Sequence, residues 1–236
     1  TAYEIRLSLV GSEMCIRDRP DGAVYFSDWF DPRIGASSHL DESFSGTIYR
    51  VAPKGFKPKA PKIDLKNVKG QIMALRSSAI NTRHLGFQSL KSQGEKVSDH
   101  ILKQLDDDNK WIAARSVWLL PHIGDKGVNA CIRMLGSDDS DERVVAYRSL
   151  RRAGHDMIPH AKRMCTDPSP QVRREIALSL RDIPAEKTKE IFVELAKRCN
   201  TDDKNSLESI GLGAAKQESI IWKAIKGGMG DDNPQE

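Results

Sequence analysis

The chain has 236 residues, which is enough for one or two domains with a substantial core. Apolar residues make up 39% and charged residues 30%, a balance that suits a protein with much surface per residue, such as a single layer of paired helices. The formal charge of +4 comes from 37 basic and 33 acidic residues that are interspersed, so no basic block argues for nucleic acid or anionic lipid as a partner.

The first residues do not fit a signal peptide, because the apolar run 7–10 is too short and no small-residue cleavage site follows it. Residues 7–19 read LSLVGSEMCIRDR, which resembles a translated sequencing-adapter read-through. We therefore interpret residues 1–19 as an artefact or a disordered stretch and leave them out of fold reasoning. The chain is then expected to begin inside a longer protein.

Two short strands are predicted next. Asp21 and Gly22 signal a turn, residues 23–27 alternate as a strand, and residues 46–51 read as a second strand. The loop 28–45 would join them into a β-hairpin. Such a hairpin is marginal alone, because two strands bury too little apolar surface.

Segments 20–35, PDGAVYFSDWFDPRIG, and 46–55, GTIYRVAPKG, resemble the closing blade of the β-propeller in planctomycete-type membrane-bound dehydrogenases. These are relatives of the soluble sugar and sorbosone dehydrogenases. The resemblance implies that residues 20–54 are a partial propeller blade. It also implies a periplasmic or cell-envelope parent, in which the propeller leads into HEAT repeats and a c-type cytochrome domain. The parent would use a c-type haem and a quinone-type cofactor, and we expect no cofactor in this chain itself.

The long loop between the strands holds four candidate site residues. Asp28, Asp31, Arg33 and His39 would lie, by the same resemblance, on the rim of the propeller's central channel, and loops are where function concentrates. The alternative is a capped turn, started by Asp31 and Pro32, in which Asp31 and Arg33 only pin the loop.

A Pro- and Lys-rich linker, residues 55–66, separates this part from a helical part. A first helix is predicted over residues 68–79, and then a pattern repeats with a period of 30, in segments that begin at Thr82, Ile112, Glu142 and Val172. The ninth position of each repeat is large and apolar, and the fifth is mostly small. Together these positions predict a buried helix face: Gly86 with Leu90, Ser116 with Leu120, Ala146 with Leu150, Ile176 with Leu180, and Ser206 with Ile210.

A second helix is predicted in each repeat, because two more columns stay apolar: Ile101, Cys131, Ala161, Ile191 and Ile221, and Leu105, Leu135, Cys165, Leu195 and Ile225. Glycine, proline or alanine at the thirteenth position should end the first helix, and Asp-rich loops should cap the next one. The pattern resembles compact HEAT repeats of the bilin-lyase-like type. The predicted fold is mainly α, a HEAT-type α-solenoid of about five helix pairs over residues 67–226, followed by a disordered tail, 227–236.

Other candidate residues have plain structural explanations. Cys131 and Cys165 lie in the apolar columns and are interpreted as core fillers, and no cysteine shows metal-ligand spacing. Three tryptophans at helix positions are expected in core or inter-repeat packing: Trp111, Trp118 and Trp222.

Arginines provide the best anion-binding candidate. Arg83, Arg143 and Arg173 share the second repeat position, which predicts a structural ladder to adjacent loops rather than a phosphate-reading stripe. Five arginines cluster in sequence and form the candidate anion patch: Arg148, Arg151, Arg152, Arg173 and Arg174. Nearby acidic residues offset this patch, so no nucleic acid is expected.

Three functions stay open from the sequence. The first is a non-catalytic scaffold or interaction segment that contacts a protein partner or neighbouring domains of its parent chain. The second is part of a sugar or alcohol dehydrogenase whose propeller and haem parts lie elsewhere. The third, from repeat length alone, is a bilin-lyase-like or DNA-repair HEAT protein.

Overall fold

The computed structural model describes residues 15–18, 23–28, 47–57, 62–77 and 79–229. The chain divides into two compact units, one ending at Gln93 and the other beginning at Gly94. This division lies inside the first predicted repeat. The sequence had placed the boundary at the linker 55–66.

The first unit contains an antiparallel sheet with strand order β1–β2–β3, where β1 is Cys15–Asp18, β2 is Val24–Asp28 and β3 is Thr47–Val51. Strands β2 and β3 are the predicted hairpin, in register from Val24 opposite Val51 to Asp28 opposite Thr47. Strand β1 differs from the expectation, because it comes from the segment set aside as an artefact or disordered and pairs with β2. The loop 28–45 lies almost wholly outside the described residues.

Two helices complete the first unit: α1, Val68–Arg76, and α2, Ile80–Lys91. The Asn67 side chain caps α1 by accepting a hydrogen bond from the Gly70 amide at 2.9 Å. The helices pack closely at Gly86, where an added Cβ would lie 2.6 Å from the Leu75 nitrogen. The predicted helix 68–79 thus ends at Arg76, and α2 begins directly after a short break.

Between Gly94 and Met229, the second unit consists of helices joined by turns. Its α-helices are α3, Ser98–Leu102; α4, Lys110–Leu119; α5, Asp125–Met134; α6, Ser140–Arg152; α7, Ile158–Met164; α8, Pro170–Ser179; α9, Ala185–Lys197; α10, Lys204–Gly213; and α11, Glu218–Met229. Short 3₁₀ segments cover Gly94–Val97, Lys103–Asp106 and Leu120–His122. Helix α11 continues to Met229, so residues 227–229 of the predicted tail are helical, and the rest of that tail lies outside the described residues.

The helices keep the predicted interval. Helices α4, α6 and α8 begin at Lys110, Ser140 and Pro170, so their starts recur with the period found in the sequence. A second helix follows each of α4, α6, α8 and α10, and these four first helices pack side by side in chain order. Among the second helices, α9 packs against α7 and α11.

Burial confirms the predicted apolar columns in this unit. Leu120, Leu150 and Leu180 are each at most 1% exposed. In the second helices the buried column residues include Ile101, Cys131, Ala161, Ile191 and Ile221. Leu105 and Ile210 are only half-buried. Periodicity therefore locates the core of this unit.

Glycines at the thirteenth position end the first helices as predicted. Gly94, Gly124 and Gly154 have φ of +60°, +114° and +90°, a region that side chains with a Cβ rarely adopt. After Gly154, the His155 amide donates back to the Leu150 carbonyl at 3.2 Å. Each glycine therefore allows the sharp turn between the two helices of a pair.

The Asp-rich loops supply most of the predicted caps. Side chains of Asn109, Asp139 and Asp203 accept hydrogen bonds from amides at the starts of α4, α6 and α10. Ser169 differs, because its side chain makes no capping bond to α8. There Pro170 lacks an amide proton, and Asp167 Oδ1 accepts from the Ser169 amide at 2.9 Å.

Two of the three tryptophans contradict the packing prediction. Trp111 is 68% exposed and Trp222 is 64% exposed, while Trp118 is half-buried. Lys110 Nζ lies 5.2 Å from the centre of the Trp111 ring. Helical periodicity placed each tryptophan on one face of its helix, but it did not show whether another helix packs on that face.

Candidate functional site

The four loop residues predicted from the propeller resemblance cannot be assembled into a site. Asp28 is the last residue of β2, and its side chain is not among the described ones. Asp31, Arg33 and His39 lie outside the described residues. They stay predictions.

The candidate anion patch lies on α6 and α8, where it is built around a buried carboxylate. Glu175 is 4% exposed and lies on α8. Arg148 reaches it from α6, with Nε at 2.7 Å and Nη2 at 2.6 Å from Oε2. Arg151 Nη2 lies 3.3 Å from the other oxygen, Oε1, which accepts no hydrogen bond from the described residues. The two arginines therefore neutralise an acid that the protein has removed from water.

The arginines on α8 are also paired. Arg174 Nη1 donates to Asp203 Oδ2 at 3.0 Å. The pKa of Asp203 lies below its usual value, chiefly because the Ser206 hydroxyl donates to it, with a further contribution from the Arg174 charge. Arg173 donates instead to backbone carbonyls of the loop before α8 and of the loop between α9 and α10.

Arg152 is the one member of the patch without a hydrogen-bond or ion-pair partner among the described residues, and it is exposed. At Arg148 and Arg174, an anion would have to displace Glu175 or Asp203, which these guanidinium groups already hold in short, charged contacts. The structure thus brings the five predicted arginines onto two neighbouring helices, but it gives four of them acceptors within the protein.

The predicted arginine ladder is present at two steps. Arg143 Nη1 donates to the carbonyls of Ser137 and Asp138, at 2.8 and 3.1 Å. Arg173, one repeat later, donates to the carbonyls of Asp167 and Pro168, at 2.6 and 3.0 Å. These four carbonyls occupy equivalent places in successive loops.

Each ladder arginine also reaches the loop that follows. Arg143 holds Asp167 with two parallel bonds, Nε to Oδ2 at 2.9 Å and Nη2 to Oδ1 at 2.7 Å. This contact raises the pKa of the Arg143 guanidinium above its usual value. Arg173 donates to the Arg198 carbonyl at 3.2 Å. The ladder therefore fastens each first helix to the loop before it and to the equivalent loop one repeat later.

The cysteines confirm their interpretation as core fillers. Cys131 is fully buried, and burial raises the pKa of its thiol to about 11. Cys165 is 2% exposed, and burial raises its thiol pKa as well. A thiol with a raised pKa carries little thiolate at neutral pH and is a poor nucleophile.

A small depression lies beside the patch, between α8, α9 and α10. Arg173, Arg174, Cys199 and Ser206 are among its lining residues, and it has room for about one water molecule. It is too small to hold an organic substrate.

Neither a membrane-spanning helix nor a metal-binding group is present among the described residues. No helix there is long and apolar enough to cross a bilayer. Within the same ranges, no three His, Cys, Asp or Glu side chains come together as a metal-binding group would require.

Comparison with known proteins adds no family. No protein-family model matches the chain, and no curated protein matches it either. A functional conclusion therefore rests on features that recur along the chain itself. These are the ladder arginines, the buried carboxylates between neighbouring helices, and the glycine turns at a fixed interval.

Proposed function

We propose that this chain is a HEAT-type α-solenoid segment that serves as a non-catalytic scaffold within a larger dehydrogenase-like protein. Its role is to hold neighbouring domains of the parent chain, or a protein partner, in fixed positions. The repeated helix pairs supply a continuous surface for this purpose, because successive pairs pack side by side in chain order.

The arginine ladder is the observation that carries the proposal. Arg143 and Arg173 occupy the same position in successive repeats and bind carbonyls in equivalent loops. A side chain that ties its own loop to the next one is useful where similar units are stacked in a row. Packing of α4, α6, α8 and α10 in chain order supports the same reading.

The dehydrogenase-like context rests on the strand segment. Strands β2 and β3 lie within the two segments that resemble a closing propeller blade. Ile48 on β3 is 75% exposed, and Val51 on the same strand is 47% exposed. A blade inside a complete propeller would cover such side chains with its neighbours. The c-type haem and the quinone-type cofactor are assigned to other parts of the parent.

The genomic reading frame tests the parent directly. We expect further propeller blades upstream of residue 20 and a CxxCH haem-attachment motif downstream of the helices. A natural start codon close to Asp21, with no blade before it, would remove the dehydrogenase-like context.

A second experiment tests the scaffold role. The chain and the parent's cytochrome domain are produced separately and titrated by calorimetry, and the chain is assayed for reduction of an electron-acceptor dye with sugars and alcohols. We expect saturable binding and no dye reduction. Dye reduction by the chain alone would instead favour the alternative that it carries part of the oxidation site.

A further inference from the structure

We draw no further inference here: the strongest candidate, the surface patch of exposed Trp111 and half-buried Trp118 on one face of α4, is an unpartnered apolar face, and nothing in the residues that the structure describes shows what covers it.

Discussion

Arg143 and Asp167 form an ion pair in which both side chains are nearly out of water, with exposed fractions of 10% and 8%. Such a pair gains little net stability over apolar residues of the same size, because both charges lose their hydration. Removing one partner is costly, since the other charge stays buried. Here two loop carbonyls would also lose their donor, Arg143 Nη1.

We therefore predict that Arg143→Ala lowers the free energy of unfolding by about 3 kcal/mol, measured by urea titration at neutral pH. Arg143→Lys should recover only part of this, because an ammonium cannot make two parallel bonds to Asp167. Arg152→Ala is the control; this exposed arginine should change stability by less than about 0.5 kcal/mol. Equal effects of Arg143→Ala and Arg152→Ala would mean that the ladder contact is not structural.

The role of Arg143 was predicted from its repeat position, but the burial of Glu175 was missed. An acidic residue in the first part of a helix suggests a solvated charge that favours the helix N-terminus. Its burial depends on Arg148 and Arg151, which reach across from the preceding first helix. A usable signal was available: basic residues at the seventh and tenth positions of one repeat, and an acid at the fourth position of the next.

Helix α10 contains two glycines that differ in their surroundings. Gly213 lies where an added Cβ would be 2.1 Å from the Ala177 carbonyl oxygen, a backbone atom that cannot move aside alone. Gly211, two residues earlier, has nothing within 4 Å of the same position. The close approach of α8 and α10 therefore requires glycine at only one of the two positions.

We predict opposite effects of the same substitution at these positions. Gly211→Ala should raise the free energy of unfolding by roughly 0.5–1 kcal/mol, because alanine is the better helix former. Gly213→Ala should lower it by about 1–3 kcal/mol, since the gain in propensity is exceeded by overpacking against α8. Thermal unfolding of the two variants beside the parent chain gives the comparison.

A stabilising Gly213→Ala would contradict the close approach of α8 and α10. A destabilising Gly211→Ala would instead indicate that another surface covers this part of α10. The two variants therefore report on different contacts of one helix.

Helices and turns were predicted well where the spacing of residues in the sequence is enough to locate them. The second helices follow from two apolar columns, and the turns follow from Gly94, Gly124 and Gly154. Strand β1 was missed because its segment was set aside on the resemblance of residues 7–19 to a read-through. The exposure of Trp111 and Trp222 was missed because a position on a helix does not show which face of that helix another element covers.

The chain as a whole consists of two compact units that divide after Gln93. The linker 55–66 suggested a boundary because prolines disfavour helices, but compactness depends on where contacts become sparse. A repeat pattern cannot show where contacts become sparse, because the pattern is the same in every helix pair.

We predict that the segment from Gly94 to Glu236 folds when produced alone. Its helical circular dichroism and a single cooperative urea transition are the expected results, because its buried columns lie mostly inside the unit. A matched segment that begins at Asp125, without α3 and α4, tests where the unit begins; it should be less stable. Failure of the longer segment to give a cooperative transition would contradict the division after Gln93.

The positions of Asp167 and Glu175 affect how the second unit unfolds. Both carboxylates belong to the α8 pair, whereas Arg143, Arg148 and Arg151, which hold them, belong to α6. Unfolding of the α8 pair alone would leave Arg148 and Arg151 without acceptors and Arg143 without its carboxylate, so loss of one pair weakens its neighbour at once. Nearest-neighbour coupling of this kind makes melting concerted rather than stepwise, and it lets adjacent pairs of modest individual stability behave as one cooperative block.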